Sequence, residues 1–264
     1  MRFVRNITLL CGQNITLGRG QNIVFLREMM RKLRTGMLVG VLTLTPVALS
    51  AQAVAAAVES SPVAHERATR GWEYGPFVNG GKGLGDRSDY SFFWTGFQVG
   101  KPITPVLNAG PLSGQLELAG EVIPFFQAYT PPPHIKTFVV NGVTYTVPVG
   151  GGTYTGVSVA PVIFRWNFAT PWRRFQPWLQ AKGGLIYTTH KFPPDVIALP
   201  GTPSGTCVWN FTPQGGAGFH YFTSMHRSLD LALNAVHISS ASLGDRNPGV
   251  NASLQVQLGY TFWK

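Results

Sequence analysis

The chain has 264 residues, of which only 12% are charged, about half of the roughly 25% usual in a soluble globular domain. So few charges cannot clothe a water-exposed surface, and a hydrophobic fraction of 44% excludes disorder. Two cysteines, Cys11 and Cys207, exclude a disulfide framework and a cysteine-built zinc site, and a net charge of +10 points to nucleic acid until the charges are located.

The first element is a leader. Residues 30–53 read MRKLRTGMLVGVLTLTPVALSAQA. Arg31, Lys32 and Arg34 form a basic head, and Gly36 to Ser50 is an apolar run of 15 residues, short for a transmembrane helix. Ala51-Gln52-Ala53 is a small-x-small cleavage pattern, so residues 1–53 are expected to be an N-terminal leader and signal peptide, with Met29 or Met30 as the true start. A membrane anchor is the weaker reading, because Pro46 interrupts the run. The leader holds seven of the 21 Lys and Arg residues and one of the 11 acids, leaving 14 and 10 and a net of +4. These charges are scattered, with no basic stripe, so no nucleic-acid partner is expected.

After a short linker over 54–71, the pattern predicts no helix. What recurs is a strand followed by a turn, over 72–79, 89–100, 114–128, 153–167, 177–190, 209–222, 228–239 and 252–263. Eight is an even number, as bacterial outer-membrane barrels require. The turns 169–176 and 223–227 are short and basic, whereas 191–208 and 240–250 are long. With both chain ends in the periplasm, the long loops lie at the cell surface. The connection 101–113 is longer than its side predicts, and the insert 130–152 is expected to sit awkwardly in this scheme. Within that insert, Asn141-Gly142 between β-branched runs predicts a small hairpin over 137–148.

Alternation assigns the faces. Leu229, Leu231, Leu233 and Ala235 share one parity, and Leu254, Val256 and Leu258 share another; Asp230, Asn234, Gln255 and Gln257 oppose them. Glu117, Glu121, Lys182, His220 and Asp230 are expected inside, as a paired or solvated network. A soluble barrel would show the same alternation inside out. The low charge and the aromatics near strand ends (Trp72, Tyr74, Trp166, Trp172, Trp178, Tyr260, Phe262, Trp263) favour lipid outside. The fold class expected for 72–264 is therefore all-β, an eight-stranded antiparallel transmembrane barrel. A soluble lipocalin-like carrier is a third, less favoured class.

Chemistry enters at His237-Ile238-Ser239. His237 and Ser239 continue the lipid-facing parity, and a polar pair there is costly without a partner or a use. A His and a Ser at i and i+2 on one strand face can act as general base and nucleophile. Snorkelling of both into the headgroup zone is the plainer account of so short a motif.

The stretch HISSASLGDRNPGVNASLQVQLGYTFWK (237–264) resembles the lipid A 3-O-deacylase (PagL-type) family, also described as acyloxyacyl-hydrolase-like. The His-x-Ser, Ala241, Leu243 and the Asn-x-Gly of Asn247-Pro248-Gly249 carry the resemblance, with LELAGEVIPFFQA (116–128) a second similarity. The family implied is an outer-membrane serine hydrolase acting on lipopolysaccharide in the outer leaflet, embedded in the membrane, with no cofactor and no metal. Carried over, Ser239 is the nucleophile and His237 its base. The family's Glu falls on Asn251 here, and Ser240 and Ser242 stand around the oxyanion site where the family has Asn and Gly. An amide can hold an imidazole tautomer but cannot stabilise imidazolium by charge. The alternative function is therefore a non-catalytic structural or lipopolysaccharide-binding barrel that has lost the triad acid. A homodimer is left open.

Weaker candidates are GKGLGD (81–86), whose Gly spacing is expected in a loop, and Asp86-Arg87 and Asp245-Arg246, expected as local ion pairs or lipopolysaccharide phosphate contacts. His190 and His220 lack ligand spacing for a metal.

Overall fold

The computed structural model describes residues 61–190, 207–240 and 252–264, with two two-residue strands at Ile7–Thr8 and Asn14–Ile15. Eight long strands follow: β1 (Glu73–Gly83), β2 (Ser91–Pro102), β3 (Gly114–Tyr129), β4 (Thr153–Phe168), β5 (Phe175–Thr188), β6 (Gln214–Ser224), β7 (Arg227–His237) and β8 (Ala252–Trp263). Each pairs antiparallel with its neighbours in the chain. β8 also pairs with β1, Trp263 opposite Glu73, so the sheet closes on itself. Closure removes the free edge that a strand-only protein would otherwise expose.

Alternation decides what each face meets. Leu229, Leu233, Leu254, Val256 and Leu258 are exposed on the outside, whereas Ser228, Asn234, Ser253 and Gln255 are buried inside. An apolar exterior around a polar interior is the inverse of a soluble barrel, and it is stable only where lipid covers the belt.

The interior has two storeys. Near the rim where β1 starts and β8 ends, here the terminal rim, Arg165 Nη1 reaches Glu73 Oε1 at 2.7 Å and Glu117 Oε1 at 3.0 Å, and its guanidinium lies 4.7 Å over the Trp178 ring. Lys182 Nζ contacts both Glu121 oxygens at 2.9 Å, and His220 Nδ1 lies 2.7 Å from Asp230 Oδ1. The five inward residues expected from alternation are thus paired. Arg165 and Glu73 join them. Towards the opposite, loop rim the filling is apolar: Phe77, Phe92, Trp94, Ile123, Phe126, Ile186, Val236 and Ile238 form one cluster.

Several expectations change. The span 54–71 contains a helix, α1 (Pro62–Thr69). Its start signals are local: Ser61 Oγ accepts from Ala64 N, and Pro62 occupies the first turn. Two turns are too short to display a helical period, which is why the pattern missed it. Burial, and then the Glu73 charge, push the Glu66 carboxyl of α1 up to about 7. The insert 130–152 is not awkward: β3 ends and β4 begins at the loop rim, where the β5–β6 and β7–β8 connections also lie. It forms the expected hairpin, His134–Val140 against Val143–Val149, with Asn141 and Gly142 at φ 52° and 78° in the turn. The predicted strand 209–222 is divided at Thr212–Pro213 into a short strand, Trp209–Phe211, and β6, because proline lacks the N–H that a ladder needs. Trp178 and Trp263 turn inward and leave the expected outer girdle; each shares the parity of inward polar neighbours. Residues 81–83 of the glycine-spaced stretch belong to β1, not to a loop. A Cβ at Gly81 would lie 2.1 Å from the Leu254 carbonyl oxygen, so strand packing accounts for that glycine.

Candidate active site

β7 ends at His237, whose N–H donates to Pro213 O at 3.0 Å and which stands opposite Ala252 of β8. Two residues on, Ser239 and Phe211 exchange both backbone hydrogen bonds, at 3.0 and 2.7 Å. The extended path therefore continues past β7, and burial alternates through it: Val236, Ile238 and Ser240 are buried, His237 and Ser239 half-buried. Ile238 is the anchor. Its side chain enters the apolar cluster beneath, which turns both of its neighbours to the outer face. The two polar side chains share that face at the loop rim without a direct hydrogen bond between them among the described residues.

Ser240 behaves differently from its neighbour. It is 1% exposed, and its Oγ has no hydrogen-bond partner. Its burial gives its side chain the inward parity, opposite to that of Ser239. Asn251 and Ser242 lie outside the described residues, as do Asp245 and Arg246.

The wall around the pair has a distinct relief. Phe211, directly opposite Ser239, is exposed, and Trp209 packs on Tyr187 with ring centroids 5.0 Å apart. Below His237, Ala181, Gly215 and Ala235 stand opposite one another across β5, β6 and β7, all exposed. Exposed Phe164 and Leu254 flank this row. A Cβ at Gly215 would meet only the Gln180 carbonyl oxygen, at 4.0 Å, so nothing within the chain demands glycine there. The result is a row of small residues crossing three strands of the outer wall beside His237, between larger apolar side chains. The cavity beneath the pair, where Trp94, Phe126, Ile186 and Ile238 meet Ser158, Thr212 and Gln214, holds about 10 Å³, room for one water at most.

The remaining candidates resolve into structure. Arg87 is buried, and Nη1 donates to the Tyr90 hydroxyl at 2.5 Å, so it does not reach outward to a phosphate. His190 is exposed, edge-on to Tyr154, and His220 is held by Asp230. Glu73, Glu117 and His220 bring donor atoms within 4.8 Å of one another, but the Arg165 guanidinium already supplies the cation between the two carboxylates.

A closed antiparallel barrel with an apolar outer belt and a polar interior defines an outer-membrane-type β-barrel. Residues 127–261 match the model of the lipid A 3-O-deacylase (PagL) family, and the chain belongs to that family. No curated protein matches the chain. Among solved structures it is similar to the outer membrane enzyme PagL, at 16% identity over 70% of this chain and 97% of that one, with a TM-score of 0.38. It is also similar to Neisserial surface protein A, at 12% identity over 72% and 96% with a TM-score of 0.41. A de novo designed transmembrane β-barrel is similar at 13% identity over 74% and 96%, with a TM-score of 0.32.

Proposed function

We propose that this chain is an outer-membrane lipid A deacylase working as a serine esterase. What carries the reading is a His/Ser pair on the lipid-facing wall, inside the segment matched by the deacylase family. Ser239 Oγ attacks the carbonyl of an ester-linked acyl chain while His237 takes the hydroxyl proton. The tetrahedral oxyanion is received by the backbone N–H of Ser240, with Ser242 in support. Collapse breaks the ester bond, and His237 returns the proton to the departing sugar oxygen. Water, deprotonated by His237, then releases the fatty acid from Ser239. Asn251 orients the imidazole in place of the family's Glu. Such pairs are often poorly aligned without substrate and tighten in the complex. The row of small residues Ala181, Gly215 and Ala235 leaves room for the acyl chain, which stays in the membrane throughout. No cofactor or metal takes part in this chemistry, and one copy of the chain supplies every residue named.

In this reading residues 30–53 direct export and are removed, 72–264 form the barrel, and the loop rim faces outward, where lipopolysaccharide resides. A second reading, a non-catalytic lipopolysaccharide-binding barrel, is favoured by one observation, the amide at Asn251 where the family has an acid. Lipid A incubated with the purified protein, wild type beside Ser239→Ala, separates the two by mass spectrometry. Release of an acyl chain by the wild type alone is expected. Equal release from both, or none from either, overturns the esterase.

A further inference from the structure

A second cluster of reactive side chains lies at the terminal rim, the full length of the barrel from Ser239. α1 sits across that mouth. Ser61 Oγ donates to Arg173 O at 3.1 Å, Val63 N donates to the same oxygen at 3.3 Å, and the Val63 side chain packs with Phe222 and Trp263. This docking brings His65 and Glu66 of α1 against His226 in the β6–β7 turn. The two imidazoles meet edge to face, with centroids 5.5 Å apart. Donor atoms of all three side chains lie within 4.8 Å of one another.

One buried group in this cluster is left incompletely bonded by the protein. Glu66 is 4% exposed, and its buried Oε2 has no hydrogen-bond partner. A buried carboxylate normally has a cation or several donors. The Arg67 guanidinium donates through Nη1 and Nη2 to the Thr170 and Phe168 carbonyl oxygens at 2.8 and 3.2 Å and makes no ion pair with Glu66, and Arg165 serves Glu73. The open side of the cluster is His226, whose ring is exposed. Its backbone is fixed, since Trp263 N donates to His226 O at 3.0 Å.

We propose that His65, Glu66 and His226 form a divalent-metal site of the zinc type, which clamps α1 to the β6–β7 turn. Two imidazoles and one carboxylate are a donor set that zinc accepts, with water as fourth ligand, whereas calcium and magnesium take mostly oxygen. Bonds of about 2.0–2.2 Å in a tetrahedron put donors about 3.4 Å apart. Closing from 4.8 Å calls for the exposed His226 side chain to rotate about its own bonds towards His65, which it already meets edge to face. Metal binding satisfies the Glu66 carboxylate and fastens helix to barrel at one point. This site is independent of the esterase and takes no part in its chemistry.

The test is zinc binding by the full-length barrel, folded in detergent micelles and stripped with chelator. Zn(II) is titrated against a chromophoric chelator. One equivalent per chain is expected. His65→Ala and His226→Ala should each weaken binding by more than the roughly 10–100-fold that loss of an outer-shell partner costs. His190→Ala, at the opposite rim, should leave it unchanged. Zinc should also slow hydrogen exchange across 62–69 in the wild type and not in His226→Ala, an exposed turn residue whose loss leaves the barrel folded. Wild-type zinc affinity in the His65→Ala/His226→Ala double variant, or no one-to-one binding by the wild type, overturns the proposal.

Discussion

Lys182 and Glu121 show what one inward position is worth. Their contacts at 2.9 Å are fully enclosed, so each charge depends on the other. Lys182→Met should destabilise the barrel by about 3–5 kcal/mol, because it leaves a buried carboxylate unpaired. Lys182→Met with Glu121→Leu should recover most of that, both read as urea midpoints in micelles. At the proposed site, Asn251→Glu restores the acid that the family places there. Deacylation should rise by up to about 10⁴-fold, the cost of the reverse acid-to-amide exchange in a serine triad. An unchanged kcat for lipid A would mean that position 251 does not orient the imidazole. The parity of His237 and Ser239 was legible in the sequence because alternation continues from Leu229. The role of Ile238 as their anchor was not, since it depends on Trp94, Phe126 and Ile186, which arrive from three other strands.

At the scale of elements, period two identified all eight strands, with ends shifted by a few residues, and the Asn-Gly turn announced its hairpin. The misses have particular causes. α1 is held by contacts remote in sequence: Ser61 to Arg173, and Arg67 to the carbonyls after β4. The start signals Ser61-Pro62 were present, but eight residues cannot show an amphipathic period. Ser61→Ala should cost about 1 kcal/mol through the lost cap, and Arg67→Met should loosen the helix further. Faster hydrogen exchange confined to 62–69, with an unchanged urea midpoint for the barrel, is the expected outcome. A matching fall in the midpoint would make α1 part of the barrel's own cooperative unit. Proline explains the divided strand before β6, a signal that was readable at Pro213 and was passed over.

For the whole molecule, the physics is that of a sheet closed in lipid. The outer belt is held by solvent choice rather than by specific contacts, so its stability depends on depth. Leu231, near the middle of β7, is exposed on the belt. Leu231→Arg should cost about 2–4 kcal/mol at the bilayer midplane and lower the folded fraction in lipid vesicles. Equal folding of variant and wild type would place Leu231 away from the hydrocarbon. The interior is the reverse case, where polar side chains from opposite walls satisfy one another. Arg165 of β4 holds Glu73 of β1 and Glu117 of β3 together, a contact that exists only once the barrel has closed.

By itself the sequence determined the strand count, the two faces, the family and the proposed catalytic pair, because each is written in local periodicity or in a short motif. Only the tertiary structure decided that Ser240 turns away from Ser239, that Ala181, Gly215 and Ala235 line up on the outer wall, and that His65, Glu66 and His226 meet. Those facts depend on strand register and on the docking of α1, which join residues far apart in the chain; His65 and His226 are separated by 161 positions. Local pattern fixes the direction in which a side chain points; closure of the barrel decides what it finds there.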